Sequence, residues 1–240
     1  MINIMKAESL KFKRTDVPIM IVGFPMLVMM IAGVLLTGEY VQQRSYNWWY
    51  TLFFPLFITL MASFSLDKDQ KYNWHGLMGI IPEKSKFWLG KIVYYSYLTL
   101  KAAAVFLLLN LVSVVVIPQR IEVVTNIFAS FVLFITFLWQ IPICMFLTLK
   151  IGKIPTLILN MMLNIGSFIV LSASDVWMMP YAIPARLMIP IIDVLPNGLF
   201  NNGQGVLADG SVIFPGILIS IVLYVILSFG TAWVFKNKEY

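Results

Sequence analysis

The sequence predicts an all-α polytopic membrane protein with six transmembrane helices and both termini in the cytoplasm. Of the 240 residues, 60% are hydrophobic and 12% are charged, whereas soluble domains average about 45–50% apolar and about 25% charged residues. The apolar residues recur in stretches close to the roughly 20 residues that cross a bilayer as a helix. Helices are expected because the backbone must satisfy its own hydrogen bonds in lipid, and the sequence lacks the short alternating segments of a β-barrel.

Six apolar stretches define the predicted spans. They leave no separate soluble module, so residues 1–240 are interpreted as one transmembrane domain. In order, the spans are Val17–Leu36, Trp48–Leu66, Ile92–Ile117, Val123–Leu149, Thr156–Ser174 and Val212–Phe235. Only Pro118–Glu122 separates the third span from the fourth, which predicts a tight antiparallel hairpin.

The basic residues predict the orientation. Thirteen of the 17 lysines and arginines lie at the termini, in the loop between spans 2 and 3, and in the loop between spans 4 and 5: Lys6, Lys11, Lys13, Arg14, Lys68, Lys71, Lys84, Lys86, Lys91, Lys150, Lys153, Lys236 and Lys238. The opposite loops hold Arg44, Arg120 and Arg186. By the positive-inside rule the first side is cytoplasmic. Cations spread along a membrane face also argue against nucleic-acid binding, which uses a folded basic patch.

The first 14 residues, Met1–Arg14, are predicted to form a short amphipathic helix in the plane of the membrane interface. On such a helix Ile2, Met5, Ser9 and Phe12 lie near one face, and Lys6, Lys13 and Arg14 tend toward another. The alternative is a frayed basic leader, since termini are often disordered. A cleavable signal peptide is not predicted, because this segment is polar and no A-x-A site follows the first apolar run.

Between spans 5 and 6, Asp175–Ser211 contains four prolines and four glycines. Its apolar pieces are too short to span, and segments of this length are typical of re-entrant or interfacial structure. We therefore predict a broken outer segment that partly enters the membrane. The residues expected there include Trp177, Met178, Met179, Ile191 and Ile192. A plain surface loop is the alternative, but it would leave these large apolar side chains in water.

Polar residues inside the spans are the candidates for a substrate path. Lys101 lies well inside span 3, and an ionisable residue within a membrane span is a functional hypothesis by default. Its alternative role is structural, with the ammonium reaching toward the interface. Asn110 lies later in the same span, and Asn160 and Asn164, four residues apart, share one face of span 5. The latter two equally fit interhelical hydrogen bonding. Gln140, close to Pro142, predicts a kinked, polar section of span 4.

The sequence shows no recognisable catalytic, metal-binding or cofactor-binding pattern, which disfavours an embedded enzyme and leaves serine chemistry open. A G-x-x-x-x-G-K-[ST] phosphate loop is missing. One histidine and one cysteine, His75 and Cys144, cannot form a Cys/His metal cluster, and the lone cysteine cannot form an intramolecular disulfide. The spans also lack a pair of carboxylates for an aspartyl protease or a proton relay.

The loop Asp67–Lys91 between spans 2 and 3 is polar and basic, but it contains a short apolar tract, Trp74–Ile81. The tract either packs on the membrane surface or inserts into a groove of a partner. A predicted cytoplasmic loop with such a tract is a place where a soluble partner can act on the membrane domain.

This layout resembles the ABC-2 type transporter permeases, and more narrowly the small permease subunits of bacterial lantibiotic-immunity ABC transporters. The features are a basic amphipathic N-terminus, six spans, a broken outer segment, and the loop sequence G-L-M-G-I-I-P-E-K-S-K-F-W-L-G-K. The resemblance implies that the loop contacts an ATPase. The coupling residues would be Trp74, His75, Leu77, Met78, Ile80, Ile81, Pro82, Glu83 and Lys84.

The resemblance further implies a multi-pass protein of the bacterial cytoplasmic membrane. Its partners would be two copies of an ABC ATPase, which would hold ATP and Mg, and a second ABC-2 permease in a heterodimer or homodimer. The cargo would be a lantibiotic or similar antimicrobial peptide, expelled for self-protection. Two alternatives stay open: an ABC-2 permease for another cargo, such as a bacitracin-like antibiotic or sodium, and a non-transporting embedded enzyme or signalling scaffold.

Overall fold

The computed structural model describes residues 2–12, 15–35, 40–71, 83–115, 118, 120–170, 172–201, 203 and 205–237. The helices are α1 (Ile2–Phe12), α2 (Val17–Leu35), α3 (Val41–Trp48), α4 (Phe54–Lys71), α5 (Lys84–Ser113), α6 (Val123–Phe137), α7 (Gln140–Ile151), α8 (Lys153–Val170), α9 (Ile183–Ile192) and α10 (Ile213–Lys236). A π-helical turn, Trp49–Phe53, joins α3 to α4, and two 3₁₀ turns, Val206–Ala208 and Gly210–Val212, precede α10. Within these ranges the β structure is one isolated antiparallel bridge, Val194 to Phe200.

Five helical stretches of the described chain are long and apolar enough to cross a membrane: α2, α5, α6 together with α7, α8, and α10. They correspond to five of the six predicted spans. The ends of α2 and α10 lie within one residue of the predicted bounds. In contrast, α5 begins at Lys84, well before the predicted Ile92, because its first two turns bury Phe87, Trp88 and Lys91.

The second predicted span, Trp48–Leu66, falls on the π turn and α4 and is not among these five stretches. The helical path from α3 through the π turn into α4 is unbroken. However, α4 ends in the charged sequence D-K-D-Q-K, residues 67–71, which shortens its apolar part. The second predicted span, and with it the total of six, therefore stays a prediction.

The fourth predicted span consists of two helices. α6 ends at Phe137, residues 138 and 139 form a turn, and α7 begins at Gln140. Pro142 accounts for the position of the break, since proline fits the first turn of a helix, where its missing N–H would have no intrahelical partner. α7 ends at Ile151 and is followed by Gly152, whose φ of 87° glycine adopts without strain, and α8 begins at the next residue.

α4 lies in the middle of the bundle and packs against α7 and α8. The core near its start is aromatic. The ring centroid of Trp49 lies 4.7 Å from that of Phe106 and 4.8 Å from that of Phe54, and Phe54 lies 5.1 Å from Phe137. All four rings are buried. They join the α3–α4 unit to α5 and α6, and so they fix the positions of the polar residues that this unit carries.

The predicted outer segment is broken, as its prolines indicated. Turns and bends lead into α9, a ten-residue helix that buries most of its side chains against α6 and α10. A Cβ added at Gly216 of α10 would lie 2.6 Å from Cδ1 of Leu187. Only glycine therefore allows α10 to approach α9 this closely. α9 ends at Ile192 and is followed by Asp193, the one non-glycine residue with positive φ in the described chain, at 60°.

Candidate functional site

Four charged side chains from three helices meet where α4 ends and α5 begins. Glu8 and Lys11 lie on α1, Asp69 lies on α4, and Lys91 lies on α5. The ammonium of Lys91 lies 2.6 Å from Oδ2 of Asp69 and 3.1 Å from Oε1 of Glu8. The ammonium of Lys11 lies 2.7 Å from Oδ1 of Asp69 and 2.9 Å from Oε1 of Glu8. We call these four residues the charged cluster.

The charged cluster is almost removed from solvent. The side chain of Lys91 is 0% exposed, those of Glu8 and Asp69 are 1% and 4% exposed, and that of Lys11 is 27% exposed. Two ammonium groups balance two carboxylates, and the hydroxyl of Tyr95 donates a further hydrogen bond to Oε2 of Glu8, at 3.3 Å. Buried charges are tolerated only with such partners, because their desolvation penalty is large.

Burial and the neighbouring carboxylates have opposite effects on the pKa of Lys11. Burial lowers the pKa of its ammonium, but the carboxylates of Glu8 and Asp69 offset that effect, and the net pKa lies above the usual lysine value. Lys11 therefore stays charged at neutral pH.

α1 is positioned against α5 by close packing as well as by charge. A Cβ added at Gly90 would lie 2.8 Å from Cγ2 of Ile4, so a glycine is needed where α1 crosses α5. Phe12 stacks on Tyr94 at 5.9 Å and contacts Tyr95 edge-on at 6.1 Å. The packed face of α1 thus consists of residues that recur every four positions: Ile4, Glu8 and Phe12.

This face differs from the one predicted for the N-terminal helix. The sequence pattern placed Ser9 with Phe12, whereas Ser9 is exposed and Glu8 is buried. Glu8 and Asp69 are not among the predicted site residues. The signal available in the sequence is that Glu8 stands midway between two apolar residues at helical spacing.

The predicted loop Asp67–Lys91 is helical at both ends, in α4 as far as Lys71 and in α5 from Lys84, and Asp69 and Lys91 of the charged cluster lie in these two helical ends. Of the predicted coupling residues, Trp74, His75, Leu77, Met78, Ile80, Ile81 and Pro82 lie outside the described residues. Glu83 is exposed and accepts a 2.7 Å hydrogen bond from Lys86, and Lys84 is the first residue of α5. The coupling role of these residues stays a prediction.

A second polar group joins Gln140 of α7 to Asn160 and Asn164 of α8, which we call the amide network. Nε2 of Gln140 donates to Oδ1 of Asn164 at 2.8 Å, and Oε1 of Gln140 accepts from Nδ2 of Asn160 at 3.1 Å and of Asn164 at 3.3 Å. Nδ2 of Asn160 also donates to the hydroxyl of Thr59 on α4 at 2.7 Å, and the hydroxyl of Tyr181 donates to Oδ1 of Asn160 at 3.2 Å.

Every side-chain nitrogen and oxygen of these three amides has a partner, and the three residues are fully buried. The amide network therefore links α4, α7, α8 and the outer segment by hydrogen bonds between neutral groups. In this arrangement Asn160 and Asn164 act as interhelical hydrogen-bonding residues. Binding of a polar ligand here would have to replace these bonds.

The other two candidates for the substrate path lie elsewhere. Asn110 is buried and accepts a 2.8 Å hydrogen bond from Ser45 of α3, while its backbone carbonyl accepts from Nε2 of Gln42 at 3.1 Å. Lys101 lies on an exposed face of α5, with its ammonium 4.5 Å from the ring centroid of Tyr97. The structure brings only Asn160 and Asn164 together, and the substrate-path role of all four residues stays a prediction.

In the outer segment, Met178 and Met179 are about half exposed, Trp177 and Ile191 are partly buried, and Ile192 is buried. Arg186 of α9 is buried and donates to the carbonyl oxygens of Leu207 at 2.8 Å and Val206 at 3.3 Å. These bonds hold the chain that precedes α10 against α9.

An open cleft of about 450 Å³ lies beside this segment. Its walls come from the end of α3, the π turn, α8 and the turn at residues 196–197. The polar residues lining it are Asn47, Thr51 and Asn197, and the remaining walls are apolar.

No protein-family model matches the chain, and no match is found among curated proteins or solved structures. The functional reading therefore depends on the residues and the geometry described above.

Proposed function

We propose that the chain is the transmembrane permease subunit of an ATP-driven exporter that expels a lantibiotic or similar antimicrobial peptide. The observation that carries this proposal is the charged cluster. It attaches α1 to α4 and α5, the helices that flank residues 72–82, through Asp69 on α4 and Lys91 on α5. A partner that pushes on the segment between these two helices would act on helices that are already joined.

The proposal includes the six-span topology. The π turn and α4 would form the second span, which gives an even number of crossings and places both termini on one side. The charged cluster and the thirteen cations named above would face the cytoplasm. α9 and the cleft beside α8 would lie at the outer surface, with Asp175, Asp193 and Asp209 nearby.

The proposed mechanism has two states. ATP binding closes a separate pair of ATPase subunits, which hold ATP and Mg, and the loop Asp67–Lys91 transmits that movement. α1, α4 and α5 move together because the charged cluster joins them. α4 in turn contacts α7 and α8 through the core and the amide network, so the movement reaches the outer cleft. A second permease completes the path for the peptide.

Co-purification with an ABC ATPase, from cells that carry the native gene neighbourhood, tests the proposal. Replacing Leu77, Ile80 and Ile81 together by Asp should abolish recovery of the ATPase and leave membrane insertion intact, since these residues lie outside the spans. The matched control is Val206→Asp, a single charge introduced at an exposed position of the outer segment. It should leave ATPase recovery unchanged.

Two results would contradict the proposal. Undiminished ATPase recovery by the well-inserted triple variant would remove the coupling role from the loop. Failure of the unmodified chain to retain any ATPase would favour a non-transporting enzyme or signalling scaffold. A peptide-challenge assay then separates the cargoes, because protection against a bacitracin-like antibiotic or sodium, but not a lantibiotic, would identify the alternative permease function.

A further inference from the structure

One face of α5 is exposed along most of the helix. The residues on it recur every three or four positions: Val93, Tyr97, Lys101, Ala104, Leu108 and Val112. All of them except Lys101 are apolar or aromatic. A single lysine therefore stands in an otherwise lipid-compatible stripe.

Lys101 lies near the middle of the apolar part of α5. It follows Lys91 of the charged cluster by ten residues, which is about 15 Å along a helix, and α5 continues beyond it to Ser113. A lysine side chain at this depth does not easily bring its ammonium to water. Ionisable residues this far inside a membrane helix almost always face protein or a water-filled cavity.

Within the described residues, the ammonium of Lys101 has an aromatic neighbour and no carboxylate. It lies 4.5 Å from the ring centroid of Tyr97, and the ion pairs between described residues do not include it. An ammonium has three N–H donors, and one ring face accepts in one direction only. The hydrogen bonds and ion pairs between described residues do not use the remaining donors.

A shallow groove lies beside the exposed face of α5 that carries Lys101, and Ala104 belongs to both. It has a volume of about 170 Å³, and its walls include Ala103 and Ala104 of α5 and Ile127 and Phe131 of α6. Small residues such as these alanines let two membrane helices approach closely. The charge and the groove are therefore parts of one surface.

The acceptor for Lys101 is not available from a second copy of this chain. The five apolar helical stretches contain neither Asp nor Glu. A two-fold pairing through this face would instead bring two Lys101 side chains toward each other, because each subunit presents the same patch. We infer that this face binds a transmembrane helix of a different protein chain, and that this helix places a carboxylate against the ammonium of Lys101.

That the partner is a second permease rests on the proposed function. Since the partner is a different chain, the permease pair would be a heterodimer. The contact itself follows from the position of Lys101 and does not depend on the cargo.

Site-specific photo-crosslinking in cells that carry the native gene neighbourhood tests it. A benzophenone amino acid at Leu108, 59% exposed on the α5 face, should form an adduct with another membrane protein. That protein should carry an Asp or Glu within an apolar span. The matched control is Met162 of α8, 68% exposed on a different face, which should give no such adduct. Lys101→Met should reduce the Leu108 adduct on the order of tenfold, and Lys101→Arg should retain it.

The pairing itself is tested by exchanging the charges. Lys101→Asp should abolish the adduct, and changing the partner's acidic residue to Lys should restore it. The inference is overturned if Leu108 yields only lipid adducts, only a second copy of this chain, or no adduct. An adduct that Lys101→Met leaves unchanged overturns it as well. A partner with the expected acidic span that is not a permease would support the interface and contradict the exporter. Recovery of the ATPase without this adduct would support the exporter and contradict the interface.

Discussion

The charged cluster and the amide network are both buried polar groups that join three or more segments, but they use different chemistry. The charged cluster contains four ionised groups and lies at the ends of helices, where α4 stops and α5 starts. The amide network contains only neutral amides of α7 and α8, which bond to the hydroxyls of Thr59 on α4 and Tyr181 in the outer segment. The charged cluster thus lies at helix ends, whereas neutral hydrogen bonds join α4, α7 and α8 in the amide network.

The difference has an energetic basis. Removing one member of a buried ion pair leaves a partner charged and desolvated, which costs about 3–5 kcal/mol. A hydrogen bond between membrane helices contributes less, on average about 0.6 kcal/mol and at most about 1.7 kcal/mol. The charged cluster should therefore be sensitive to loss of any one member, whereas the amide network should respond gradually.

The largest effect is expected for Lys91→Met. The change removes the fully buried ammonium that contacts both carboxylates, and it leaves Asp69 and Glu8 with their ion pairs to Lys11. We expect a loss of about 3–5 kcal/mol in stability, and release of α1 from α5. Thermal unfolding in detergent measures the first, and protease cleavage within residues 2–12 measures the second.

The control for Lys91→Met is Lys86→Met. Lys86 also pairs with a carboxylate, that of Glu83, but the two side chains are 65% and 53% exposed. An exposed pair of this kind contributes about 0–1 kcal/mol. Equal effects of the two changes would show that the charged cluster does not hold α1 in place.

The comparison also separates what the sequence could predict from what it could not. Apolar length placed α2 and α10 nearly to the residue, because these helices end where the apolar run ends. The same criterion began α5 too late, because Lys91 looked like a loop residue. Its charge is compensated by Asp69, 22 residues earlier, and by Glu8 of α1, and such distant pairings leave no local pattern.

The polar residues inside the spans show a similar limit. The four-residue spacing of Asn160 and Asn164 correctly put them on one face, and both contact Gln140. Sequence could not show that Asn110 belongs to a different group with Ser45, 65 residues away. Nor could it show which way Lys101 faces, since α5 is apolar almost all round and has no single hydrophobic stripe.

An intermediate effect is expected in the amide network, from Asn160→Leu. This change removes the bonds to Thr59, Gln140 and Tyr181 together, and it leaves the other two amides bonded to each other. We expect a loss of about 1–2 kcal/mol, with α1 still attached to α5. Thermal unfolding and the same protease assay would show this combination.

The matched change in the same helix is Met162→Leu, which alters an exposed apolar side chain and should be close to neutral. If Asn160→Leu were as destabilising as Lys91→Met, the distinction between charged and neutral polar groups in this fold would be wrong.

The smallest effect is the pH dependence that Lys11 brings to the charged cluster. Burial lowers the pKa of its ammonium, the carboxylates of Glu8 and Asp69 raise it, and the net pKa is raised. A raised pKa in the folded state means that Lys11 contributes its full stability below the ordinary lysine value of about 10.4. That contribution is lost as the pH rises through the folded-state pKa.

Lys91 and Tyr95 border the same carboxylates, so the Lys11 contribution must be isolated by comparing the unmodified chain with Lys11→Met. The thermal midpoint of the unmodified chain should exceed that of Lys11→Met by a constant amount between pH 7 and 9, and the gap should narrow above that range. A gap that widened toward high pH would mean that Lys11 is not held as an ammonium by the two carboxylates.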